Sequence, residues 1–396
     1  MKLGWAKRMN SVENPALDNV LAIINRPDII SFAGGLPAPD CFPVEEMAAA
    51  FAETLAEDKG SALQYGACDG FRPLKEWVAT YMVERQAMAS CSPDEVLITS
   101  GSQQGIELIA RALLEPGDRV IVESPSYMAA LQVFSNIEAV SIAAPSDEDG
   151  LITEGLAELI RKEKPKFIYV IPTFQNPSGI TMTLKRRKEL IKIAHEEGIP
   201  ILEDNPYGEL RYMGESLPPL KSLSSNPEEV LYLGTFSKIV APGLRLGWMV
   251  TTPEVVRKLS LVKQSTDLLC NLTSQFALTR YLQSGALLPH LEKIKANYKV
   301  KRDAMEEAMK KHFPKEVHWA NAEGGMFFWA TLPESIDTME MLDDALAAKV
   351  AYVPGVAFYP DGQGKSSMRL NFSNATPEKI NEGITKLGEV IASRLK

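Results

Sequence analysis

The sequence predicts an α/β fold, in which a mostly parallel, doubly wound sheet forms a large domain and a smaller α+β domain lies beside it. Short apolar runs such as residues 167–171 recur along the chain, and helical patterns such as residues 184–197 come between them. Continuous apolar runs are typical of strands buried on both faces, and their alternation with helices is typical of parallel sheets. The length of 396 residues allows two domains. We expect residues 46–285 to form the large domain, and residues 1–45 with 286–396 to form the smaller one.

Composition and charge exclude several classes of partner. Hydrophobic residues make up 45% of the chain and charged residues 23%, which is typical of a globular protein in water. A net charge of −9 argues against a nucleic acid or an anionic membrane as partner, because both select basic surfaces. No apolar run approaches the roughly 20 residues of a membrane helix, and the N-terminus lacks the apolar segment of a secretory signal. We therefore expect a cytoplasmic protein.

The cysteines and histidines predict neither a disulfide framework nor a metal site. The four cysteines are scattered and form no CxxC motif, and the four histidines lack the spacing of metal ligands. Scattered cysteines of this kind are typical of reduced packing residues in a cytosolic protein.

The first part of the chain predicts a short helix and a flexible connection. Residues 14–26 have an amphipathic pattern that ends at Pro27. The following segment, residues 31–43, contains Gly34 and Gly35 and breaks all regular structure. Two glycines allow a ligand to approach the backbone closely or allow a strained turn, although a plain connector would have the same composition. A second helix is expected at residues 44–56.

The first strand–helix junction predicts an anion site. A strand near Glu95 leads through a turn into a helix that runs to Leu114. The turn places the backbone N–H groups of Ser102 and Gln103 at the helix N-terminus, where free N–H groups and the helix dipole favour negative charge. The motif is not GxGxxG, so it does not support a dinucleotide site. Before this junction, Tyr65 lies in a loop, where local packing is its simplest interpretation.

Four further polar residues follow predicted strands, at the edge where α/β sheets bind ligands. Tyr127 follows the strand at residues 120–122, and an aromatic ring there can stack on a ligand ring or simply join the core. Asn176 lies among turn residues, where an Asx turn is the usual outcome. Asp204 and Tyr207 follow the strand at residues 200–202, and a helix-capping aspartate is the alternative.

The segment after the strand at residues 230–233 indicates the chemistry. Lys238 lies just past the strand, where a dry cleft disfavours the charged amine and leaves a nucleophile for a carbonyl. Thr235, Ser237 and Arg245 surround it with hydroxyls and a guanidinium, which suit a phosphate dianion. A lysine for an aldehyde and a clamp for a phosphate point to pyridoxal 5′-phosphate (PLP); an ordinary surface lysine is the alternative.

The C-terminal third predicts a bridging helix and a buried charge. A strand at residues 248–251 is expected to lead into one helical stretch that runs to Ser284. A long charged helix is expected at residues 287–311, a strand at 324–329 and a loop at 352–358. Arg369 lies in the middle of the apolar run 368–372. Because an unpaired buried arginine is costly, we expect an anionic partner for it, which is either a ligand or a structural salt bridge.

Several motifs together resemble those of PLP-dependent, fold-type I aminotransferases of class I/II. The resemblance extends from about Ser31 to Phe372 and is carried by the lysine segment and by SFAGGLPAPDCFP, GSQQG, PTFQNPSG and VPGVAFYPDGQG…MRLNFS. The subgroup most resembled acts on 2-aminoadipate, kynurenine, aromatic or branched-chain amino acids. It implies a ping-pong transfer of the α-amino group to a 2-oxo acid such as 2-oxoglutarate.

The resemblance also implies a role for each candidate residue. Lys238 would hold PLP as a Schiff base and later move the α-proton, while Asp204 would pair with the pyridine nitrogen. Tyr207 would hydrogen-bond the ring O3′ and Tyr127 would stack on the ring. The phosphate would be held by Ser102, Gln103, Thr235, Ser237, Arg245 and Tyr65 of the partner subunit. The substrate would be bound by Arg369, Asn176, Gly35 and Tyr65.

Two rival functions remain open from the sequence. One is another PLP reaction on the same fold, such as a β-lyase, racemase or decarboxylase. The other is the PLP-binding part of a transcriptional regulator, but only about 30 residues precede the SFAGG segment, fewer than a DNA-binding domain needs. The first predicted helix offers Asp18 and Arg26, so we do not expect an enzyme restricted to dicarboxylates. The expected assembly is a homodimer with shared active sites.

Overall fold

The computed structural model describes residues 3–6, 8–9, 26 and 28–395. The helix predicted at residues 14–26 lies outside the described residues except for Arg26. The described strands are β1 (Ile30–Ser31), β2 (Val96–Thr99), β3 (Arg119–Ser124), β4 (Val140–Asp147), β5 (Gly150–Leu151), β6 (Phe167–Val170), β7 (Ile201–Asp204), β8 (Val230–Thr235), β9 (Gly247–Val250), β10 (His318–Trp319), β11 (Phe327–Thr331), β12 (Val350–Ala351), β13 (Val353–Pro354) and β14 (Ser367–Asn371).

The described α-helices are α1 (Val44–Glu53), α2 (Arg72–Glu84), α3 (Gly101–Leu113), α4 (Met128–Asn136), α5 (Leu156–Glu163), α6 (Leu184–Glu197), α7 (Leu220–Leu223), α8 (Pro253–Gln264), α9 (Leu272–Gln283), α10 (Leu287–His312), α11 (Thr338–Ala347) and α12 (Pro377–Arg394). None of these helices is both long enough and apolar enough to cross a lipid bilayer.

An eight-stranded sheet forms the centre of the fold, in the order β2-β9-β8-β7-β6-β3-β4-β5. Strands β4, β3, β6, β7 and β8 pair in parallel. Strand β9 runs antiparallel to both of its neighbours, and β5 runs antiparallel to β4. The mostly parallel sheet that the sequence predicts is therefore confirmed.

Both faces of this sheet are covered by helices, because side chains alternate along each strand. On β8, Leu231 and Leu233 pack with helices α3, α4 and α8. Val230 points to the opposite face and packs with α5, α6 and α7, while Tyr232 packs there with α1, α2 and α9. Because successive side chains of β8 are buried on opposite faces of the sheet, its sequence is a continuous apolar run.

A second, antiparallel sheet has the order β10-β11-β14-β13, and a short parallel pair joins β1 to β12. These strands pack with α11 and α12 around a separate hydrophobic core. Helix α10 joins the two cores: Leu287 and Leu291 pack with the large sheet, whereas its later residues, from Ile294 onward, pack with the small one. The course of α10 supports a boundary near residue 285, and the division into domains stays a prediction.

Two regions differ from the predicted elements. The single helical stretch expected before Ser284 is interrupted at residues 265–271, because the Asn271 side chain accepts a hydrogen bond from the Ser274 N–H and starts α9. The loop expected at residues 352–358 contains the strand β13, in which Val353 lies opposite Arg369. Proline is tolerated in β13 because this strand is at the edge of the sheet.

Candidate active site

A cavity of about 410 Å³ lies at the carboxyl edge of the large sheet, between the two hydrophobic cores. Parallel strands bring the loops that follow them to this one edge, where α/β sheets hold their ligands. Every site residue predicted from the sequence lines the cavity except Tyr65; these are Gly35, Ser102, Gln103, Tyr127, Asn176, Asp204, Tyr207, Thr235, Ser237, Lys238, Arg245 and Arg369.

Lys238 lies in the cavity wall, three residues after the end of β8. Its Nζ donates a hydrogen bond of 2.9 Å to the carbonyl oxygen of Gly35. Burial, together with the positive charges of Arg369 and Arg245, lowers the pKa of Lys238 from 10.5 to about 8. An enclosed amine with this pKa is neutral in a substantial fraction near neutral pH, so the side chain can act as a nucleophile or a base. The alternative of an ordinary surface lysine is excluded.

The lowered pKa of Lys238 predicts the pH dependence of cofactor attachment. Only the neutral amine attacks an aldehyde, so the rate at which the apoprotein binds PLP covalently should rise through pH 8 instead of pH 10.5. Arg369→Met should move this midpoint upward, because a positive charge that opposes protonation is removed. Stopped-flow absorbance between pH 6.5 and 9.5 measures both midpoints. A wild-type midpoint near 10 would show that Lys238 is not desolvated.

Asp204 is a buried carboxylate with one oxygen that lacks a partner. It ends β7, and its Oδ2 accepts a hydrogen bond of 3.0 Å from the Tyr169 hydroxyl, whereas Oδ1 has no partner among the described residues. Burial raises the pKa of Asp204 to about 7, although the hydroxyls of Tyr169 and Ser102 oppose the shift. The next helix begins only at Leu220, so Asp204 does not cap a helix.

Asn176 links the phenol of Tyr207 to the guanidinium of Arg369. Its Nδ2 donates to the Tyr207 hydroxyl at 3.5 Å, and its Oδ1 accepts from Arg369 Nη1 at 2.8 Å. Burial raises the pKa of Tyr207, so the hydroxyl stays protonated and can donate a hydrogen bond. The side chain of Asn176 therefore bonds to other side chains in the cavity, and among the described residues it does not form the expected Asx turn.

Arg369 is a buried cation that has no carboxylate partner within residues 28–395. Its Nη2 donates to the Ala33 carbonyl oxygen at 2.7 Å, and its Nε is buried without a hydrogen-bond partner in the described part of the chain. The guanidinium carbon lies 4.3 Å from the ring centre of Phe327 and 5.0 Å from that of Phe358. Burial lowers the pKa of Arg369 to about 10, which still leaves it charged at neutral pH. A charged, aligned guanidinium without an acid nearby can receive a carboxylate from a ligand.

The opposite end of the cavity has the features of a phosphate site. Helix α3 begins at Gly101 without a side-chain cap, so the N–H groups of its first turn remain available. Gly101 has φ of +75°, and a Cβ at this position would lie 3.0 Å from Arg245 Nη2. The hydroxyls of Thr235 and Ser237 are 3.0 Å apart at the end of β8. Helix N–H groups, hydroxyls and a guanidinium together suit a phosphate dianion.

Tyr65 is placed differently from the other predicted residues. Its side chain is 78% exposed and lies outside the cavity, so it does not pack locally as a loop residue would. An aromatic side chain exposed to this degree is available to a second subunit. Its predicted contact with the cofactor of a partner subunit stays a prediction.

The sequence did not predict two residues that contact the site, Tyr169 beside Asp204 and Phe327 beside Arg369. In the sequence, Tyr169 is only part of the apolar run 167–171, and Phe327 is only part of the predicted strand 324–329. A signal existed for Tyr169, because a hydroxyl in a strand buried on both faces needs a partner. No comparable signal existed for Phe327, which contacts Arg369 only through the pairing of β11 with β14.

The family model of aminotransferase class I and II matches residues 27–387 of the chain. The chain belongs to this family. It is 47% identical over 382 residues to aromatic-amino-acid aminotransferase 1 of Thermococcus litoralis, covering 95% of this chain and 91% of that protein. It is 38% identical to a 2-aminoadipate transaminase of Thermus thermophilus, covering 99% of this chain and 98% of that protein.

Solved structures agree with this assignment. A kynurenine aminotransferase of Pyrococcus horikoshii, in complex with PMP, superimposes with a TM-score of 0.95 at 44% identity, covering 99% of this chain and 98% of that one. An α-aminoadipate aminotransferase of Thermus thermophilus, complexed with N-(5′-phosphopyridoxyl)-L-leucine, gives 0.91 at 37% identity over the same shares. The predictions of a fold-type I enzyme, of amino-group transfer and of PLP as cofactor are confirmed.

The residues of this aminotransferase fit PLP at both ends of the cofactor. The orphaned Oδ1 of Asp204 can accept a hydrogen bond from a protonated ring nitrogen, and the first turn of α3 can receive the phosphate. Lys238 lines the same cavity and would hold the aldehyde there.

Proposed function

We propose that this aminotransferase prefers donors with an aromatic, branched-chain or other large apolar side chain to acidic donors such as 2-aminoadipate, and passes the amino group to a 2-oxo acid such as 2-oxoglutarate. The main observation in favour of this donor specificity is the set of cationic side chains that line the cavity. Its described lining contains Lys238, Arg245 and Arg369, and each has a role toward the cofactor or the α-carboxylate. No fourth cation lines the described wall to pair with an acidic side chain.

Two further facts support this specificity. Arg26, a candidate for reading an acidic substrate, pairs with Asp28 at 3.0 Å, and both side chains are about half exposed. It does not line the cavity. The relative with 47% identity acts on aromatic amino acids, and the 2-aminoadipate relative is less similar, at 38%.

The proposed roles begin with substrate binding. Arg369 grips the α-carboxylate with its guanidinium, and Asn176 holds that guanidinium in place through its Oδ1. The rings of Phe327 and Phe358 both lie within cation–π distance of the guanidinium and help to hold it in place. The α-carbon of the substrate is thereby held near Lys238.

The proton steps belong to three side chains. PLP, when bound, supplies an electron sink for the negative charge that develops at the α-carbon. Asp204 keeps a proton on the ring nitrogen, and Tyr207 donates a hydrogen bond to O3′. Lys238 Nζ takes the α-proton and delivers it to C4′; its lowered pKa suits a base near neutral pH.

A half-reaction screen tests the function. Wild-type enzyme loaded with PLP is mixed with each amino acid, with 2-aminoadipate and with kynurenine, and formation of pyridoxamine phosphate is followed by absorbance. We expect phenylalanine and tyrosine to react at least about tenfold faster than aspartate, because a side-chain carboxylate would be buried without a cation. Arg26→Gln is the matched control and should leave this ratio unchanged. Preference for acidic donors would overturn the specificity, and absence of pyridoxamine phosphate would favour a β-lyase, racemase or decarboxylase.

We further propose that the enzyme is a cytoplasmic homodimer in which Tyr65 of the partner subunit completes the phosphate site. Its high exposure supports a role outside its own subunit. Two residues earlier in the chain, Leu63 is also largely exposed. The four free cysteines support a reducing compartment.

Hybrid dimers test the shared site. Tyr65→Phe alone should weaken PLP binding about tenfold, because a charge-assisted hydrogen bond to the phosphate is lost. Dimers of one Tyr65→Phe subunit and one Lys238→Ala subunit should contain one intact site, since the intact lysine and the intact tyrosine meet there. At a PLP concentration near the wild-type Kd, where Tyr65→Phe sites are mostly empty, mixing the two variants should therefore raise activity after subunit exchange, with the unexchanged mixture as control. Activity that remains at the unexchanged level would show that Tyr65 acts within its own subunit or not at all.

A further inference from the structure

Tyr169 and Asp204 lie on neighbouring parallel strands of the large sheet. In the pairing of β6 with β7, Tyr169 lies opposite Leu202. Leu202 and Asp204 point to the same face, because side chains two residues apart in a strand share a face. The long side chain of Tyr169 therefore extends along the sheet toward its carboxyl edge, and its hydroxyl meets Asp204 Oδ2 at 3.0 Å.

The tyrosine ring is confined by its surroundings. Tyr169 is fully buried, and Phe134 of α4 packs edge-on against it with ring centres 5.8 Å apart. Burial raises the pKa of Tyr169 well above its ordinary value of 10, so the hydroxyl remains a donor across the physiological range. A rigid donor of this kind has one orientation, and a carboxylate that accepts from it is held in a matching orientation.

The two oxygens of Asp204 are consequently not equivalent. Oδ2 is occupied by Tyr169, whereas Oδ1 is buried and has no partner among the described residues. A carboxylate without such an anchor can rotate about its last bond, which is a broad torsion in aspartate. Tyr169 removes this freedom before any ligand binds, and it leaves the other oxygen for the cavity.

We propose that Tyr169 is a positioning residue that orients the Asp204 carboxylate, so that Oδ1 meets the N–H of the PLP ring. The inference rests on the proposed role of Asp204 at that nitrogen. The groups near the carboxylate are Tyr169, Ser102 and the neighbouring acid Glu203, which raises the pKa of Asp204. Glu203 accepts hydrogen bonds from the backbone of residues 220 and 221 and does not contact the cavity.

The test compares two probes on the apoprotein: PLP and its 1-deaza analogue, in which a C–H group replaces the ring nitrogen. Tyr169→Phe removes only the hydroxyl and should raise the Kd for PLP about tenfold, the usual effect of losing a hydrogen bond to a charged group. The Kd for the deaza analogue should be unchanged, because no ring N–H is present to be met. Tyr232→Phe is the matched control: this buried tyrosine of β8 accepts from Asn205 and does not touch Asp204.

The outcomes separate this inference from the proposed function. An equal loss for both probes, or no loss for PLP, would overturn the role of Tyr169. If Tyr169→Phe fails to fold, Phe134→Leu loosens the ring and keeps the hydroxyl, and it should produce a smaller loss for PLP alone; no such selective loss would also overturn the role. Failure of the proposed function appears elsewhere, as wild-type enzyme that forms no pyridoxamine phosphate from any amino acid.

Discussion

Lys238→Ala is expected to lower kcat for amino transfer by about 10⁴-fold, the upper end of the effect of a general base. The cavity contains no other described amine that could replace it. Arg245 and Arg369 line the same space, but a guanidinium is neither a nucleophile nor a base near neutral pH. The loss should therefore appear in kcat, and the absorbance band of covalently bound PLP should disappear.

A second substitution, Lys238→Arg, tests whether turnover needs the positive charge of Lys238 or its reactive amine. Lys238→Arg keeps a cation of similar length, so electrostatic attraction for the phosphate is preserved. It should nevertheless lose kcat as completely as the alanine variant does. Lys221→Ala is a control, because Lys221 is also a buried lysine but donates to carbonyl oxygens of the backbone away from the cavity. Substantial turnover in either Lys238 variant would remove this residue from its proposed role.

Arg369→Met is expected to lower kcat/KM for amino acids about 10²–10³-fold. Removing one member of a buried, hydrogen-bonded charge pair typically costs about 2–5 kcal/mol, and here the other member is the substrate carboxylate. Affinity for PLP should change little, because Arg369 lies on β14 at the end of the cavity away from α3. Pre-steady-state rates with phenylalanine, together with equilibrium binding of PLP, measure both quantities.

Arg211→Met is the matched control for this substitution. Arg211 is likewise a buried guanidinium over an aromatic ring, 4.7 Å from the ring centre of Phe174. It differs in having an acid partner, Glu323 at 2.7 Å, and in lying outside the cavity lining. The control should lose conformational stability, seen as a lower Tm, and keep its kcat/KM. A similar loss of kcat/KM in both variants would indicate that Arg369 acts through the fold and not through the substrate.

The positions of most candidate residues along the chain could be predicted, because a buried strand has a recognisable apolar run in the local sequence. The runs before Asp204 and Lys238 are apolar on both faces, and the parallel arrangement then brings their carboxyl ends to one edge. The orphaned state of Asp204 Oδ1 could not be predicted in this way. It depends on which strand lies beside β7, and on Tyr169 being two positions back along that neighbour.

The environment of Arg369 shows the same division. A charged residue in an apolar run predicts a buried cation that needs an anion, but it does not reveal whether the anion is part of the protein. That answer required the tertiary structure, in which β11 and the segment after β13 place Phe327 and Phe358 on the guanidinium, and in which no carboxylate of residues 28–395 pairs with it.

The amino-acid sequence by itself determined the α/β architecture with a mostly parallel sheet, and it identified the lysine, the acid, the arginines and the hydroxyl groups that line the cavity, because these follow from periodicity and motifs within short segments. Only the tertiary structure decided the pKa values, the orientation and the hydrogen-bond partners of those groups. The pKa of Lys238 is lowered by burial and by Arg369, far along the chain, as well as by the nearby Arg245. Asp204 is anchored by Tyr169, 35 residues earlier, and Arg369 is held by Asn176, 193 residues earlier. Local sequence does not encode such proximity.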